Sequence, residues 1–161
     1  MIREMRSNDG VRVLEIYKMG IKTRNATFET TVPTWKEWDL KHLKHTRFIY
    51  ETDGVIAGWA ALSAVSQRFV YRGVSEVSIY VDVNQASKGI GSVLMAELIS
   101  SSEKNGIWTL QSSVFPENKA TLKLHEKFGF RIVGKRERIA CLDEVWRDTF
   151  ILERRSDFVG V

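Results

Sequence analysis

Apolar and polar positions alternate along residues 74–83, a period of two that predicts a β-strand. One face of this strand carries Val77, Ile79, Val81 and Val83, and the other carries Glu76, Ser78, Tyr80 and Asp82. A central strand of a mixed sheet is usually apolar on both faces, so a polar face indicates that the strand borders a cleft. We therefore expect Glu76 to point into that cleft.

The hydrophobic period changes after this strand and predicts a helix over 92–104, with Ile90 in line with its apolar stripe. Apolar residues recur there at helical spacing, and Asn105-Gly106 provides a C-terminal stop. The preceding turn is Lys88-Gly89-Ile90-Gly91-Ser92, where residues without a Cβ atom let a ligand approach the backbone. The free N–H groups of the helix start, together with Lys88, form a site suited to phosphate. An ordinary strand-to-helix turn is the competing interpretation.

The same reading of the other segments predicts a mixed, mostly antiparallel sheet with helices on both sides, an α/β fold. Its element order is β-α-α-β-β-β-α-β-α-β-β, in one domain spanning residues 1–161. Strands are predicted at 2–5, 48–52, 55–62, 107–115, 130–133 and 145–152, and helices before residue 22, after Pro33-Thr34 and after Asn118. Thr34 and Glu37 have the spacing of a capping box, and Asp53-Gly54 indicates a tight hairpin turn.

Charge and cysteine content narrow the function classes. The net charge is +4, but the basic residues are scattered and form no run, which disfavours nucleic-acid binding. His42 and His45 lie three residues apart without a third metal ligand, so a solvated helix face is favoured over a metal site. Cys141 is the only cysteine, and the charged start of the chain is unlike a signal peptide. We expect a cytoplasmic protein with no metal and no membrane segment.

Three stretches resemble one family. Lys88-Gly89-Ile90-Gly91-Ser92 after a strand resembles the acyl-CoA pyrophosphate loop of the GCN5-related N-acetyltransferases, and residues 118–130 resemble their later helix-and-turn motif. Residues 25–29 and Arg68-x-x-Tyr71…Glu76 resemble the branch that acetylates phosphinothricin and methionine sulfone or sulfoximine. The resemblance covers most of the chain and implies the acyl-CoA N-acyltransferase fold, with acetyl-CoA as cosubstrate.

The resemblance also implies roles for individual residues. Glu76 would be the catalytic base and His125 the acid that protonates the leaving thiolate, although a salt-bridged glutamate and a structural histidine are the plainer interpretations. Acetyl-CoA would contact Ile79, Tyr80, Val81, Ser87, Lys88, Gly89, Ile90, Gly91, Ser92 and Asn118. Phe28, Arg68 and Tyr71 would bind the substrate, with Arg68 gripping a carboxylate; a core role for Phe28 and a surface role for Arg68 are the alternatives.

Two positions depart from the family pattern. Ala86 stands where relatives usually have glutamine or arginine, and Ser66 stands where the phosphinothricin branch tends to have a basic residue. The expected function is acetyl transfer to the amino group of a small amino-acid-like substrate, by a homodimer if the family resemblance extends that far. The alternatives are a peptide N-acetyltransferase of the same fold and a CoA-binding regulatory module without turnover.

Overall fold

Seven strands form one sheet in the computed structural model, which describes all residues 1–161. The strands are β1 (Ile2–Glu4), β2 (Phe48–Thr52), β3 (Val55–Ala64), β4 (Val74–Val81), β5 (Thr109–Val114), β6 (Arg131–Leu142) and β7 (Val145–Arg155), in the spatial order β1-β2-β3-β4-β5-β7-β6. The helices are α1 (Gly10–Lys22), α2 (Trp35–Lys41), α3 (Ile90–Lys104) and α4 (Lys119–Lys127). The predicted element order and fold class are confirmed.

The only parallel pair is β4 with β5, and it is short. Val74–Glu76 of β4 pair with Thr109–Gln111 of β5, and no pairing continues beyond Glu76, whereas β3 stays paired to β4 as far as Val81. Two neighbouring strands that stop pairing while both continue must separate. A gap therefore opens in the middle of the sheet just after Glu76.

Backbone alternation identifies the groups that face this gap. The Asp82 N–H donates to the Ala57 carbonyl of the adjacent β3 segment at 2.8 Å, so even-numbered residues of β4 direct their backbone groups toward β3. The N–H and C=O groups of Ile79 and Val81 then point the other way, into the gap. These polar groups need partners that the sheet does not supply.

Each face of the sheet packs against helices and forms its own core. On one face, α3 contributes Leu94, Met95 and Leu98 to a cluster with Val77 and Leu152. On the other face, α1 and α2 cover a second cluster, whose members include Val13, Ile16, Tyr17, Trp38 and Trp59. Since Val77 belongs to the first cluster, the side chains of Glu76, Ser78 and Tyr80 lie on the α1–α2 face.

Local signals in the sequence placed most element ends correctly. The Thr34–Glu37 capping box is present, with the Thr34 N–H donating to Glu37 Oε2 at 2.7 Å and the Glu37 N–H donating to Thr34 Oγ1 at 3.3 Å. Asp53 and Gly54 both have positive φ, as a tight hairpin turn requires. Gly106 ends α3 at φ 76°.

The last hairpin is longer than predicted. β6 extends to Leu142 and β7 to Arg155, where the sequence indicated strands only at 130–133 and 145–152. The turn is Asp143-Glu144 at φ 50° and 64°, a pair of residues without the usual glycine signal. β6 is exposed along almost its whole length, so burial imposed no alternating pattern on it.

No helix of the structure combines the length and the apolar character needed to cross a membrane.

Candidate active site

One large cavity, about 1060 Å³, runs from the start of α3 through the β4–β5 gap to the α1–α2 face of the sheet. Its walls come from the loop after α1, from α2 and α4, and from strands β4, β5 and β7. Most of the predicted site residues line it: Phe28, Glu76, Ile79, Tyr80, Val81, Ser87, Gly89, Ile90, Gly91, Ser92, Asn118 and His125. Lys88, Arg68 and Tyr71 do not.

The loop before α3 presents bare backbone to the cavity. Ser87 and Gly89 have φ of 63° and 76°, and the N–H groups of Ser92 and Val93 both donate to the Gly89 carbonyl. The N–H groups of Ile90 and Gly91 have no acceptor, and no side chain caps the helix. A Cβ atom on Gly89 would meet nothing within 4 Å, so its approach face is open.

Lysine residues of α4, in addition to Lys88, lie near this loop. Lys88 is exposed and donates to Gln85 Oε1 at 2.8 Å. Lys127 donates to Ser92 Oγ at 3.1 Å, and both Lys127 and Lys123 line the cavity. Neither lysine was predicted from the sequence, although the spacing of Lys123 and Lys127 places them one turn apart on one side of α4.

Glu76 lies half-buried beside the gap with no cationic partner. Its one side-chain hydrogen bond is a long one, from Gln111 Nε2 at 3.4 Å. None of the ion pairs in the structure includes it, so the interpretation as a salt-bridged strand glutamate has no support. A carboxylate held in a cavity wall without a cation is available to accept a proton.

His125 is buried on α4 and lines the same cavity. Its Nδ1 donates to the Thr121 carbonyl at 2.8 Å, which leaves Nε2 buried and without a partner. Burial lowers the pKa of His125, so the ring is neutral with its proton on Nδ1. In this state Nε2 accepts a hydrogen bond. His125 acts as an acid only after Nε2 takes up a second proton.

Asn118 joins the start of α4 to the loop after α1. Its Oδ1 accepts from the Thr121 N–H at 3.2 Å, which makes it the N-cap of α4, and its Nδ2 donates to the Asn25 carbonyl at 3.0 Å. Asn118 is therefore fixed in place at the start of α4, and its second Nδ2 hydrogen remains for a ligand.

Phe28 closes one side of the cavity. Its ring packs edge to face on Phe115, with centroids 4.9 Å apart. The loop that carries it is tied down by Arg147, which donates to the Arg24 carbonyl at 2.8 Å and to Glu117 Oε2 at 3.2 Å.

Arg68 and Tyr71 lie on an exposed turn outside the cavity. The Arg68 guanidinium is 5.4 Å from the centre of the Tyr71 ring, and Tyr71 is 44% exposed. The structure does not bring these two residues together with Phe28 and Glu76, and any contact with substrate stays a prediction. Their distance from the cavity follows from the loop after β3, which passes over the surface.

Aromatic side chains form the α1–α2 end of the cavity, and they include His42, which was wrongly predicted to be solvated. His42 is buried, not solvated: it stacks on Trp38 at 4.0 Å, and its Nδ1 donates to the Trp38 carbonyl. α2 is only two turns long and ends at Lys41, and the next residue, His42, packs against Trp38 and Trp59. Burial lowers the pKa of His42 to about 4.

All the buried side-chain polar atoms without a partner belong to residues that line this cavity. They are Trp38 Nε1, Trp59 Nε1, His125 Nε2 and Thr149 Oγ1. Leaving a buried polar group unpaired costs about 1–3 kcal/mol, so their concentration in one place indicates a site that receives a ligand or ordered water.

The fold and the cavity agree with the comparison to known proteins. A profile of the acetyltransferase (GNAT) family matches residues 13–130. The chain is 34% identical to "Putative phosphinothricin acetyltransferase YwnH" of Bacillus subtilis over 88% of this chain and 90% of that protein. It is 27% identical to phosphinothricin N-acetyltransferase of Streptomyces viridochromogenes, over 95% and 86% of the two chains.

A solved structure shows the same fold. The GNAT superfamily phosphinothricin acetyltransferase of Sinorhizobium meliloti, in complex with acetyl-CoA, superposes with a TM-score of 0.90 at 24% identity, over 99% of this chain and 90% of that one. The chain belongs to the acetyltransferase (GNAT) family. The predictions of the family, of the fold and of an acetyl-CoA-dependent N-acetyltransferase are thereby confirmed.

Proposed function

We propose that this enzyme acetylates the amino group of a small amino-acid-like substrate of the phosphinothricin, methionine sulfone or methionine sulfoximine type. The observation that carries the proposal is Glu76: its carboxylate has no cation and lies at the point where β4 and β5 separate. Two relatives that align over most of the chain are named as phosphinothricin acetyltransferases, which supports this substrate class.

The residues present fit acetyl-CoA at three places. The unpaired N–H groups of Ile90 and Gly91, at the positive end of the α3 dipole, suit a diphosphate, with Lys127 nearby. The outward backbone groups of Ile79 and Val81 suit the amide-bearing arm, as an added strand would. Asn118 Nδ2 offers a further donor. When bound, acetyl-CoA supplies an activated thioester carbonyl.

Glu76 provides the base that the amine requires in order to lose a proton. An amine with a pKa of about 8 or above is mostly ammonium at pH 7 and cannot attack a carbonyl until it loses a proton. Glu76 takes that proton directly or through a water in the cavity, which is worth roughly 10²–10⁴ in rate. Gln111 holds the carboxylate from one side through Nε2.

Backbone N–H groups in the gap provide donors for the oxyanion that develops during the reaction. Negative charge that develops on the carbonyl oxygen requires a fixed donor, and the N–H groups of Ile79 and Val81 are already directed there by their pairing to β3. Being part of a paired strand, they do not have to reorganise during the reaction. We propose that one of them forms the oxyanion site.

The shape of the acceptor end favours a small substrate over a peptide. Phe28 and Phe115 close one side, and the aromatic wall of Trp38 and Trp59 closes another. A peptide acceptor needs an open groove, whereas the loop after α1 lines this end of the cavity and is held there by Arg147 and Asn118.

A thiol-release assay with acetyl-CoA tests the function. We expect turnover with methionine sulfone, methionine sulfoximine or phosphinothricin, and none with peptides that offer a free N-terminal amine or an internal lysine. Turnover with peptides alone overturns the small-substrate proposal. No turnover with any amine, together with binding of CoA, favours the regulatory module instead.

We propose further that the protein is a cytoplasmic homodimer. The lone Cys141 is exposed and unpaired, as in a reducing compartment. Exposed apolar side chains, among them Ile139, Val145 and Trp146, lie on the β6–β7 hairpin, whose outer strand is an unpaired sheet edge. Sedimentation equilibrium tests the assembly: we expect twice the mass of one chain, and a monomer at all concentrations contradicts it.

A further inference from the structure

Arg68, the predicted carboxylate partner, does not line the cavity, which raises the question of which cation of the cavity wall could meet an anionic substrate group. One arginine lines the cavity, Arg136 on β6. It takes part in none of the ion pairs or side-chain hydrogen bonds of the structure. Its guanidinium is therefore not committed to any group of the protein.

The sheet register places Arg136 on the reactive face. Glu76 pairs with Gln111, and Gln111 with Glu153 of β7. Side chains two residues apart share a face, so Ile151 and Thr149 lie on the same face as Glu76. Arg136 is paired opposite Thr149, so its side chain lies on that face as well, where both residues line the cavity.

Thr149 supplies a second, independent sign of a ligand. It is 3% exposed, and its hydroxyl is buried without a hydrogen-bond partner. Arg136 is exposed and is paired with Thr149 across the two strands, so the two side chains together can offer several donors to one carboxylate or phosphinate.

The distance from the β4–β5 gap decides which substrate group arrives there. β6 lies two strand spacings from β5, which is ~10 Å. An arginine side chain that extends from β6 toward the gap spans a large part of this distance. The reacting amine is in the gap, and an α-carboxylate is only one carbon away from it. A group several bonds from the amine reaches Arg136, whereas an α-carboxylate stays close to Glu76.

We propose that Arg136, with the Thr149 hydroxyl, binds an anionic oxygen group at the far end of the substrate and so sets a preference for acceptors with a distal carboxylate or phosphinate. This inference rests on the proposed function. It assigns the specificity of the site to β6 and β7, the hairpin that departs most from its sequence-based prediction.

Phosphinothricin and methionine sulfone form a matched pair for the test. Both are α-amino acids with a methyl-capped tetrahedral group two methylenes beyond the α-carbon, and they differ in the charge of that group. kcat/KM is measured for both substrates with the wild-type enzyme, Arg136→Gln, Thr149→Val and, as a control, Lys41→Gln. Lys41 is a cation that lines the opposite, α2 end of the cavity.

We expect Arg136→Gln to lower kcat/KM for phosphinothricin roughly tenfold to hundredfold, the loss of a charge-assisted hydrogen bond, and for methionine sulfone less than threefold. Thr149→Val should act in the same direction with a smaller effect, and Lys41→Gln should leave the ratio of the two substrates unchanged.

Several outcomes overturn the inference. Equal losses for both substrates in Arg136→Gln mean that the arginine meets the α-carboxylate, and no loss for either means that it meets nothing. A change of the ratio in Lys41→Gln alone assigns the distal group to α2. In these cases the proposed function stands. If the wild-type enzyme acetylates neither substrate nor any other amine, the proposed function fails, and this inference with it.

Discussion

Arg147 places its guanidinium 4.0 Å from the centre of the Phe115 ring, on the wall that closes the acceptor end of the cavity. The same guanidinium donates to the Arg24 carbonyl, and the edge of Phe115 supports Phe28. Arg24 in turn pairs with Asp143 in the turn of the last hairpin, at 3.1 Å. The loop that carries Phe28 is thus held by β7 and the β6–β7 turn in addition to Asn118 and its own local hydrogen bonds.

Arg147→Met should therefore impair binding of the amine more than binding of acetyl-CoA. The methionine keeps the apolar stem over Phe115 but loses the hydrogen bonds to the loop. We expect the KM of the amine to rise about tenfold, the equivalent of one hydrogen bond from a charged donor, with a change of less than threefold in the KM of acetyl-CoA. Steady-state kinetics with each substrate varied in turn give both values.

Arg131→Met is the control, because Arg131 makes an exposed ion pair with Glu153 at the other end of the same hairpin. It should change neither KM. A parallel rise of both KM values in Arg147→Met would mean that the substitution loosens the fold rather than the loop.

Gly89 and Gly106 test the diphosphate site as a matched pair. Both have φ of 76°, and a Cβ atom on either would meet nothing within 4 Å. Alanine at either position should lower the free energy of unfolding by roughly 1–2 kcal/mol, the cost of a left-handed non-glycine residue. Only Gly89→Ala should also weaken CoA binding, because its methyl group would occupy the side from which a diphosphate approaches Ile90 and Gly91.

Urea unfolding and isothermal titration with CoA separate the two effects. We expect the two variants to lose the same stability. Only Gly89→Ala should also bind CoA tenfold more weakly. Unchanged affinity in both variants would count against the diphosphate site.

His42 makes the stability of the fold depend on pH. Histidine in an unfolded chain titrates near 6.5, whereas burial lowers the pKa of His42 to about 4. Between these values the unfolded chain binds more protons, so the free energy of unfolding falls as the pH falls from about 6.5 to about 4. The contribution of this residue to the fall is roughly 3 kcal/mol.

His42→Phe should flatten this part of the profile, since a phenyl ring keeps the stacking on Trp38 and does not titrate. Urea unfolding at intervals of half a pH unit measures the slope. Burial also lowers the pKa values of His45 and His125, so some slope remains in the variant. An identical slope in variant and wild type would show that His42 is not buried in the neutral form.

His125 yields a prediction about the leaving thiolate. With Nδ1–H bound to the Thr121 carbonyl, an acid role requires the doubly protonated ring, which burial disfavours. If the doubly protonated ring is needed, kcat falls as the pH rises through the lowered pKa of His125, below the usual histidine range. His125→Phe would remove this fall. We expect kcat to rise with pH in both proteins, as deprotonation of an amine requires. A decline confined to the wild type would assign the acid role to His125.

The parts of the fold that local chemistry specifies were predictable from the sequence. The capping box at Thr34, the Asp53-Gly54 turn and the end of α3 at Gly106 each depend on residues adjacent in the chain. The alternation of apolar and polar residues in β4 also located the cavity, because a polar face on a central strand indicates that no element packs against it. These signals placed Glu76 and the loop before α3 in one site.

Features set by distant contacts were not predictable. The extent of β6 depends on its pairing with β7, and Arg136 enters the site only through its register opposite Thr149. His42 was predicted to be solvated because its burial depends in part on Trp59, seventeen positions further along the chain, as well as on Trp38. Arg68 was expected to bind substrate from the family resemblance; its turn is exposed and does not line the cavity, and the contact with substrate stays a prediction.

The central claim is that the Glu76 carboxylate removes the proton from the amine. The direct test is kcat for Glu76→Gln, measured by thiol release alongside CoA affinity by calorimetry. Glu126→Gln, an exposed position on α4, serves as control. We predict that kcat falls roughly 10²–10⁴-fold in Glu76→Gln while CoA affinity and the control stay within twofold of wild type. A Glu76→Gln enzyme with wild-type kcat at pH 7 would contradict the account.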